Sequence, residues 1–524
     1  MRKLLDIRVF LAVYIVFGLV LLPDYGIGWD DYIMRDNAER NLEWAGEFLS
    51  GNTAAKDSIF EGNIDEHGPA FQLILLGVES ALPFESAYAT NLIRHTVSFL
   101  AFAFLSLFFF RLLRVAGFSN KISLLAWMAV VLYPRIFAHA GFNLKDPIFM
   151  MLMVVAVFLL VRLKKKNGLI HHVIFGLLLG FIIDIRILGL LIVAPYVIYI
   201  FVFEGLKLSS MKKVVVGLFS CAFAICLFWP FLWDAPVELF LNQFKVITQV
   251  KQPNPTLFFG EFYLPKEAPR WYLPVYLLIT VPVVIWLLFF IGIIDRVRNL
   301  FKFGFGDINK HPAFWTSLYV FTVPVLAAVV LTPVFYNGWR HFQFIYPFAV
   351  VVAVYGLCAF SSRFHLFGKK ARQMVVGGAL VSLLVVNLLY HPHGHLYFNL
   401  WMGQNLESEF EPDYWGIGFR EGWEFLSDHT SSTERPVNVL VSDKPALFNL
   451  ELLSADERQQ FNIVEGIEEA EYFITNHQHF SSLSTPVWHN FYFGENRPVL
   501  GREIYRSGTF QATSVRIYQL RSQP

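Results

Sequence analysis

Charge is scarce in this chain. Only 16% of its 524 residues are Asp, Glu, Lys or Arg, and 42 basic against 41 acidic side chains leave a net charge of +1. That balance excludes the basic surface a nucleic-acid partner needs. The low total excludes an ordinary soluble domain, in which about a quarter of residues are charged. Cysteine is scarcer still: Cys221, Cys226 and Cys358 all lie inside apolar runs, so no disulfide framework is available to a water-exposed part. Internal repeats, low-complexity tracts and long linkers are absent from the sequence. What remains is 55% hydrophobic and 17% aromatic, the composition of a polytopic α-helical membrane protein.

A hydrocarbon core needs roughly 20 apolar residues per helix. Runs of about that length fall at 7–23, 92–110, 121–139, 147–161, 169–183, 187–203, 214–230, 272–294, 313–332, 344–360 and 374–390, which predicts about eleven crossings. The first run ends at Pro23-Asp24-Tyr25 without a small-residue cleavage pattern and reads as a retained helix. Basic residues cluster at Arg2/Lys3/Arg8, Arg111/Arg114/Lys121, Arg162 to Lys166, Lys207/Lys212/Lys213, Arg296/Arg298/Lys302/Lys310 and Arg363/Lys369/Lys370/Arg372. With eleven crossings every cluster falls on one side, which predicts a cytoplasmic N-terminus and an external C-terminus. One missed helix would invert all later clusters.

Residues 1–390 then form a transmembrane domain with a large first external loop at 24–91, and 391–524 an external domain. Within the loop, His67 to Leu82 is apolar but carries Glu79 and reads as a helix near the membrane surface. After Tyr390 the character changes. "RPVNVLVSD" and "AEYFITNHQ" read as buried parallel-type strands, "EIYRSGTFQATSVRIYQL" as a hairpin, and the stretch from about Gly418 as an amphipathic helix, together a small α/β domain.

The external side collects the candidate chemistry. Asp30 and Asp31, in "GIGWDDY", follow the first helix, and Asp146, in "AHAGFNLKDPIFM", opens the fourth. Charge at the centre of a bilayer costs roughly 2.5–3.5 kcal/mol per residue on insertion scales, and less at its edge. Two readings stand for each acid: solvated or capping charge, or a functional carboxylate. For Asp146, followed by Pro147, an N-cap is the structural alternative.

Five strings, "GWDDY", "HGPAF", "PRIFAHAGFNLKDP", "YNGWRHFQFIYP" and "FEPDYWGIGFREGWEFL", occur in order from the first helix to the external domain. Together they resemble bacterial members of the protein O-mannosyltransferase family, glycosyltransferase family 39, within the membrane-embedded GT-C class. One departure is Asp30-Asp31, where that family typically has Asp-Glu, which weakens any role carried over to Asp31. The resemblance implies a single-sugar transferase that takes a sugar from a polyprenyl-phosphate donor to a hydroxyl acceptor, protein or glycolipid or glycan. It implies inversion, Asp30 as general base, and Asp31 and Asp146 in support. Arg340, His341, Lys145, Arg135 and Arg186 are the candidates for the donor phosphate, and His67 and Trp339 for lining the pocket. Arg135 and Arg186 have snorkelling or pairing with Asp184 as their alternative, and Lys145 has pairing with Asp146. Trp29, Trp271, Tyr272 and Trp339 are mostly explained by an interfacial aromatic belt, with stacking on sugar as the alternative.

An oxygen-rich metal site built from the three acids is the chemistry of the oligosaccharyltransferase branch of the class. The resemblance to the other branch predicts no essential metal or other cofactor. The implied location is a bacterial inner membrane. Rival classes are a transporter, which would place charge near the midplane of repeated halves, and a polymerase or ligase of surface polysaccharide using polyprenyl-linked substrates.

Overall fold

The computed structural model describes residues 6–60, 67–82, 86–164, 168–248, 256–264, 266–363, 369–411, 413–433, 435–476 and 501–520. Arg2, Lys3, Lys165 and Lys166, which carry part of the charge pattern, lie outside them.

Among the described residues, seven helical segments are long and apolar enough to cross a membrane: Ile7–Asp24, Ala87–Val115, Asp146–Leu163, Ile187–Glu204, Leu208–Phe228, Pro312–Leu331 and Arg340–Ser361. Two bent pairs raise the number to nine. Asn120–Val131 meets Pro134–Phe142 at 63°, and Tyr272–Thr280 meets Val283–Phe303 at 114°. Straight crossings over 121–139 and 272–294 were expected, and the structure breaks both. In each case a proline follows the break, Pro134 or Pro282, and cannot donate the backbone bond that would continue the first helix. The two remaining expected crossings are helical, at Leu169–Ile185 and Lys369–Tyr390. The first is 17 residues long, and the second counts only Val381–Tyr390 as apolar. The helix Ala70–Ala81, at 12 residues, is too short to span.

The Asp146–Leu163 helix is the centre of the bundle. Nearly every side chain on it is buried, which explains an apolar sequence with no polar stripe. It packs against Ala87–Val115, Leu169–Ile185 and the 3-10 turn Arg340–Ile345. Close helix contact elsewhere depends on small residues. A Cβ on Gly356 would sit 1.8 Å from the Leu288 carbonyl oxygen, so Val283–Phe303 and Tyr346–Arg363 touch backbone to backbone there.

Two short strands, β1 (Thr256–Phe258) and β2 (Glu261–Tyr263), form an antiparallel ribbon. The C-terminal sheet contains β3 (Val437–Val441), β4 (Phe461–Val464), β5 (Tyr472–Thr475), β6 (Arg502–Gly508) and β7 (Thr513–Gln519), in the order β4-β3-β5-β7-β6. β3 pairs parallel with β4 and β5, and the β6–β7 hairpin closes the sheet antiparallel. The helix Phe419–Thr430 lays Phe419, Trp423 and Leu426 on this sheet, against Val437, Ile474 and Val515. The α/β domain is therefore present. Its separate core begins at Phe419, however, because Leu406, Phe410, Tyr414, Trp415 and Ile417 are packed into the core of the helical bundle. The segment between Tyr390 and Gly418 is thus a lid built onto the bundle, and it carries half of the site described next.

Candidate active site

The acidic pair opens the helix Trp29–Ser50. Gly28, extended at the cap position, donates its N–H to Asp31 Oδ2 (2.9 Å), and both acids occupy the first turn, where the helix dipole favours negative charge. Three contacts bind this turn to the C-terminal segment. Trp29 N–H donates to the Trp415 carbonyl (3.1 Å). Ile27 exchanges two hydrogen bonds with the Asn449 side chain, each 2.9 Å. Gly26 lies so close that a Cβ would meet Asn449 Oδ1 and the Ile417 carbonyl oxygen at 2.4 Å, which explains a glycine there.

Asp30 and Asp31 face different partners. Arg340 Nη1 donates to Asp30 Oδ2 at 3.1 Å, across 310 residues of sequence. Asp31 is buried, with His95 Nε2 3.5 Å from its Oδ2. Arg340 sits in an aromatic cage. Its Nη2 donates to the hydroxyls of Tyr336 (3.0 Å) and Tyr414 (3.3 Å), and its guanidinium lies over the rings of Tyr336, Tyr414 and Trp415 at 4.8, 4.3 and 4.9 Å. Each such stack contributes ~0.5–2 kcal/mol, more when dry. Arg340 Nε donates to His341 Nε2 (3.0 Å), which makes that nitrogen the acceptor and puts the imidazole proton on Nδ1.

The cage wall is fixed by Asp413. Its carboxylate accepts from the N–H groups of Trp415 (3.0 Å), Gly416 (3.1 Å) and Gly418 (3.4 Å), from Ser514 Oγ (2.7 Å), and from His395 Nε2 (2.9 Å). Burial pushes the Asp413 pKa up, but His395 and the Ser514 hydroxyl outweigh it and hold the group at about 2. The Tyr414 and Trp415 rings of "DYWG" reach over the Arg340 guanidinium, and Asp413 folds the turn that aims them.

A second cluster lies at the start of the central helix. Asp146 is the first helical residue, and the cap position expected for it belongs to Lys145. Asn143 does the capping: its Oδ1 accepts from the N–H groups of Lys145 and Asp146, both at 3.0 Å, while its Nδ2 donates to Asp146 Oδ2 (3.0 Å). The proline at 147 prevents an extra N–H from competing. Asp146 Oδ1 takes Arg186 Nε (2.8 Å) and Nη2. Arg186 therefore pairs with Asp146, and the alternative pairing with Asp184 does not occur. Asp184 instead accepts the Ala70 N–H at 2.7 Å and backs onto Gly68, whose added Cβ would lie 2.4 Å from the carboxylate. That contact seats the "HGPAF" loop and brings His67 beside Lys145, Arg186 and Arg340. Burial, then those three cations, hold the His67 pKa well below its usual value, so the ring stays neutral.

Arg135 stands apart from this cluster. Its Nε donates to the Tyr397 carbonyl (2.6 Å), its guanidinium lies 5.0 Å over Phe398, and with Arg340, His139, His395 and Trp339 it lines a cavity of about 20 Å³. Trp339 is fully buried there, its indole N–H without a partner among the described residues, so it does not belong to an interfacial belt, whereas Trp271 is half exposed. Tyr272, also assigned to the belt, is fully buried and donates to Glu411 Oε2 (2.8 Å).

Thus Asp30, Arg340 and His341 are in direct contact, Asp146 contacts Arg186, and His67, Lys145, Arg186 and Arg340 converge electrostatically. The sequence reading assigned no role to Tyr336, Asn143 or His395: Tyr336 and Asn143 carry no charge to mark them, and His395 is marked only by its fold-back onto Asp413. The three carboxylates do not converge. Asp30 and Asp146 are each paired with an arginine, and among the described residues no three His, Cys, Asp or Glu side chains form a ligand set.

Fold and site define a polytopic helical membrane protein with a carboxylate and cation site roofed by the segment that leads into its C-terminal α/β domain. No protein-family model and no curated protein matches the chain. Several solved structures are similar to it. ArnT from Cupriavidus metallidurans aligns with TM-score 0.43 and 12% identity over 98% of this chain and 97% of that one. The Archaeoglobus fulgidus oligosaccharyltransferase aligns with TM-score 0.42 and 12% identity over 96% and 73%. The arabinofuranosyltransferase AftD from Mycobacteria aligns with TM-score 0.42 and 13% identity over 98% and 40%. At 12–13% identity, the chemistry has to be read from this chain's own residues.

Proposed function

We propose that the protein is a membrane glycosyltransferase that moves one sugar from a polyprenyl-phosphate donor to a hydroxyl acceptor. The observation that carries this is the placement of Arg340: one buried guanidinium touches the acidic pair through Asp30 and, with Lys145 and Arg186, faces His67. A base and a cationic anion-receptor side by side, roofed by aromatic rings, is what displacement of a lipid phosphate requires.

In this reaction the acceptor oxygen attacks the anomeric carbon from the face opposite the phosphate, and the bond between that carbon and the phosphate oxygen breaks. Asp30 takes the hydroxyl proton. Its Oδ2 is held by Arg340, which leaves Oδ1 as the basic atom, and positioned bases contribute about 10²–10⁴-fold. The electron pair of the broken bond leaves with the phosphate, whose growing charge is met by Arg340, Lys145 and Arg186. Neutral His67 and His341 can donate to phosphate oxygens without adding repulsion among the cations. Asp146 keeps Arg186 in place. One displacement with no covalent intermediate gives inversion.

The reading extends to the finer points. The resemblance to protein O-mannosyltransferases supports a mannose-type donor, with the acceptor a protein, glycolipid or glycan hydroxyl, and the pairing of Asp30 and Asp146 with arginines supports a reaction without an essential metal. The test is release of polyprenyl phosphate from a panel of polyprenyl-phosphate sugars by the protein in lipid, with the anomeric configuration of the product read by NMR. Retained configuration, or no donor consumed, overturns the proposal.

A further inference from the structure

On the side of the Trp29–Ser50 helix that carries Asp31 lies a cavity of about 280 Å³, lined by Asp31, Tyr32, Arg35, Thr90, Asn91, Arg94 and Glu451 among others. Helices Trp29–Ser50 and Ala87–Val115 form two walls, and the C-terminal domain supplies Glu451, which accepts the Tyr32 hydroxyl. Tyr32 is stacked on Phe448 at 4.1 Å, so this wall is stiff. The volume is near the lower end of small-ligand sites, about 300 Å³. That is the scale of a mono- or disaccharide.

The electrostatics differ from those of the phosphate cluster. Both arginines are already neutralised: Arg94 Nη1 pairs with Glu79 and its Nη2 donates to Gln72 Oε1 (2.8 Å), while Arg35 reaches Glu79 and Glu39, each at 3.1 Å. No positive charge is left over for a phosphate or carboxylate. Hydrogen-bonding groups, by contrast, are left over. Asn91 is 8% exposed and its amide makes no hydrogen bond among the described residues, nor does the Thr90 hydroxyl, and Asp31 uses only Oδ2. These groups line the cavity without a protein partner among the described residues, so water or a ligand completes their hydrogen bonds. Ile27, Ala87 and the Tyr32 ring add apolar surface beside these polar groups, a mixture that suits the C–H faces and hydroxyl edges of a sugar ring.

We propose that this cavity binds the acceptor and that the acceptor presents a neutral sugar to it. The inference rests on the glycosyl-transfer reading only for the word acceptor. The free amide and hydroxyl and the second oxygen of Asp31 match the mixed donors and acceptors of a polyol, and Asp31, which lines the cavity, is the chain neighbour of Asp30.

The test is saturation-transfer NMR on the full chain in lipid nanodiscs, with the methyl glycosides of glucose, galactose, mannose and N-acetylglucosamine as probes. At least one glycoside binds at millimolar concentration, binding weakens about 3–10-fold in Asn91→Ala, the cost of one lost hydrogen bond, and it disappears in Thr90→Trp, which fills the cavity. If Thr90→Trp does not fold, Asn91→Ala carries the test alone. No binding by any glycoside, binding unchanged in Asn91→Ala, or preferential binding of a serine peptide or of glycerol phosphate would each overturn the proposal. Donor release, measured without glycoside, separates the two readings: donor consumed without glycoside binding sinks this inference alone, and glycoside binding without donor consumption sinks the proposed reaction.

Discussion

The Asp30–Arg340 pair ties the acidic turn to the lid, and its coupling is measurable. Arg340 is 5% exposed at the side chain and Asp30 16%. Arg340→Ala strips Asp30 of its counter-charge and removes three ring contacts. Breaking a buried pair costs ~3–5 kcal/mol, and the partial exposure of Asp30 places this one near the lower end, about 3 kcal/mol. In Asp30→Asn the amide oxygen still accepts from Arg340, but the buried guanidinium loses its anion, so this variant too is expected to lose about 3 kcal/mol. The double variant no longer strands a carboxylate and is expected to be more stable than Arg340→Ala alone by at least ~1 kcal/mol, within the ~0.5–3 kcal/mol range of contacting pairs. Thermal unfolding in lipid, followed by tryptophan fluorescence, reads this as a shift of a few degrees. If the single variants' effects simply add, or Arg340→Ala melts with wild type, Arg340 does not carry the charge of Asp30 and the site as described is wrong.

Other outcomes follow from the same geometry. Asp413, held at about 2 against a usual 3.8, contributes about 2 kcal/mol; because its folded pKa is depressed, that stability is present above pH ~4 and fades as pH falls towards ~2. Asp413→Asn should flatten acid unfolding in this window, and an unchanged profile would show that another group governs it. Gly68→Ala forces a Cβ against the Asp184 carboxylate, so the loop carrying His67 must shift at a cost of ~1–3 kcal/mol; donor affinity measured by titration should fall with it, and a structure that absorbs the methyl with no loss would refute the seating role. Asp146→Asn leaves Arg186 buried without its anion and should destabilise by ~3 kcal/mol or more, with Arg186→Gln restoring part of the loss in the double variant; no restoration would mean the pair is not the cause.

The class of the fold was legible because hydrophobic run length is a local property. Strands at Val437–Val441 and Tyr472–Thr475 and the hairpin after Gly501 were legible for the same reason, since β-branched and aromatic residues bounded by turn residues form strands wherever the chain leads them. The breaks at Tyr133-Pro134 and Val281-Pro282 were less so: hydropathy continues through them, and only the backbone constraint of proline marks the bend. At the site, charge gave the acids and arginines away but not their partners. Arg186 stands two residues from Asp184, and local reasoning favours that pairing. The helix ends at Ile185, however, and turns the Arg186 side chain towards Asp146, while Asp184 faces the loop at Gly68. The cage around Arg340 depends on a fold-back of Tyr414 and Trp415 over more than seventy residues, and nothing short of the tertiary structure specifies it.

The central claim is that the acidic pair beside Arg340 activates an acceptor hydroxyl against a lipid-phosphate sugar. The most direct measurement is turnover of a polyprenyl-phosphate sugar panel by purified wild type and Asp30→Asn in lipid, each with and without chelator, using water as fallback acceptor and unfolding temperature as a folding control. The account predicts one donor consumed by wild type regardless of chelator, and a rate about 10²-fold or more lower in folded Asp30→Asn. Equal turnover by the variant, or no donor consumed at all, would reduce Asp30 to a structural counter-ion for Arg340 and contradict the account.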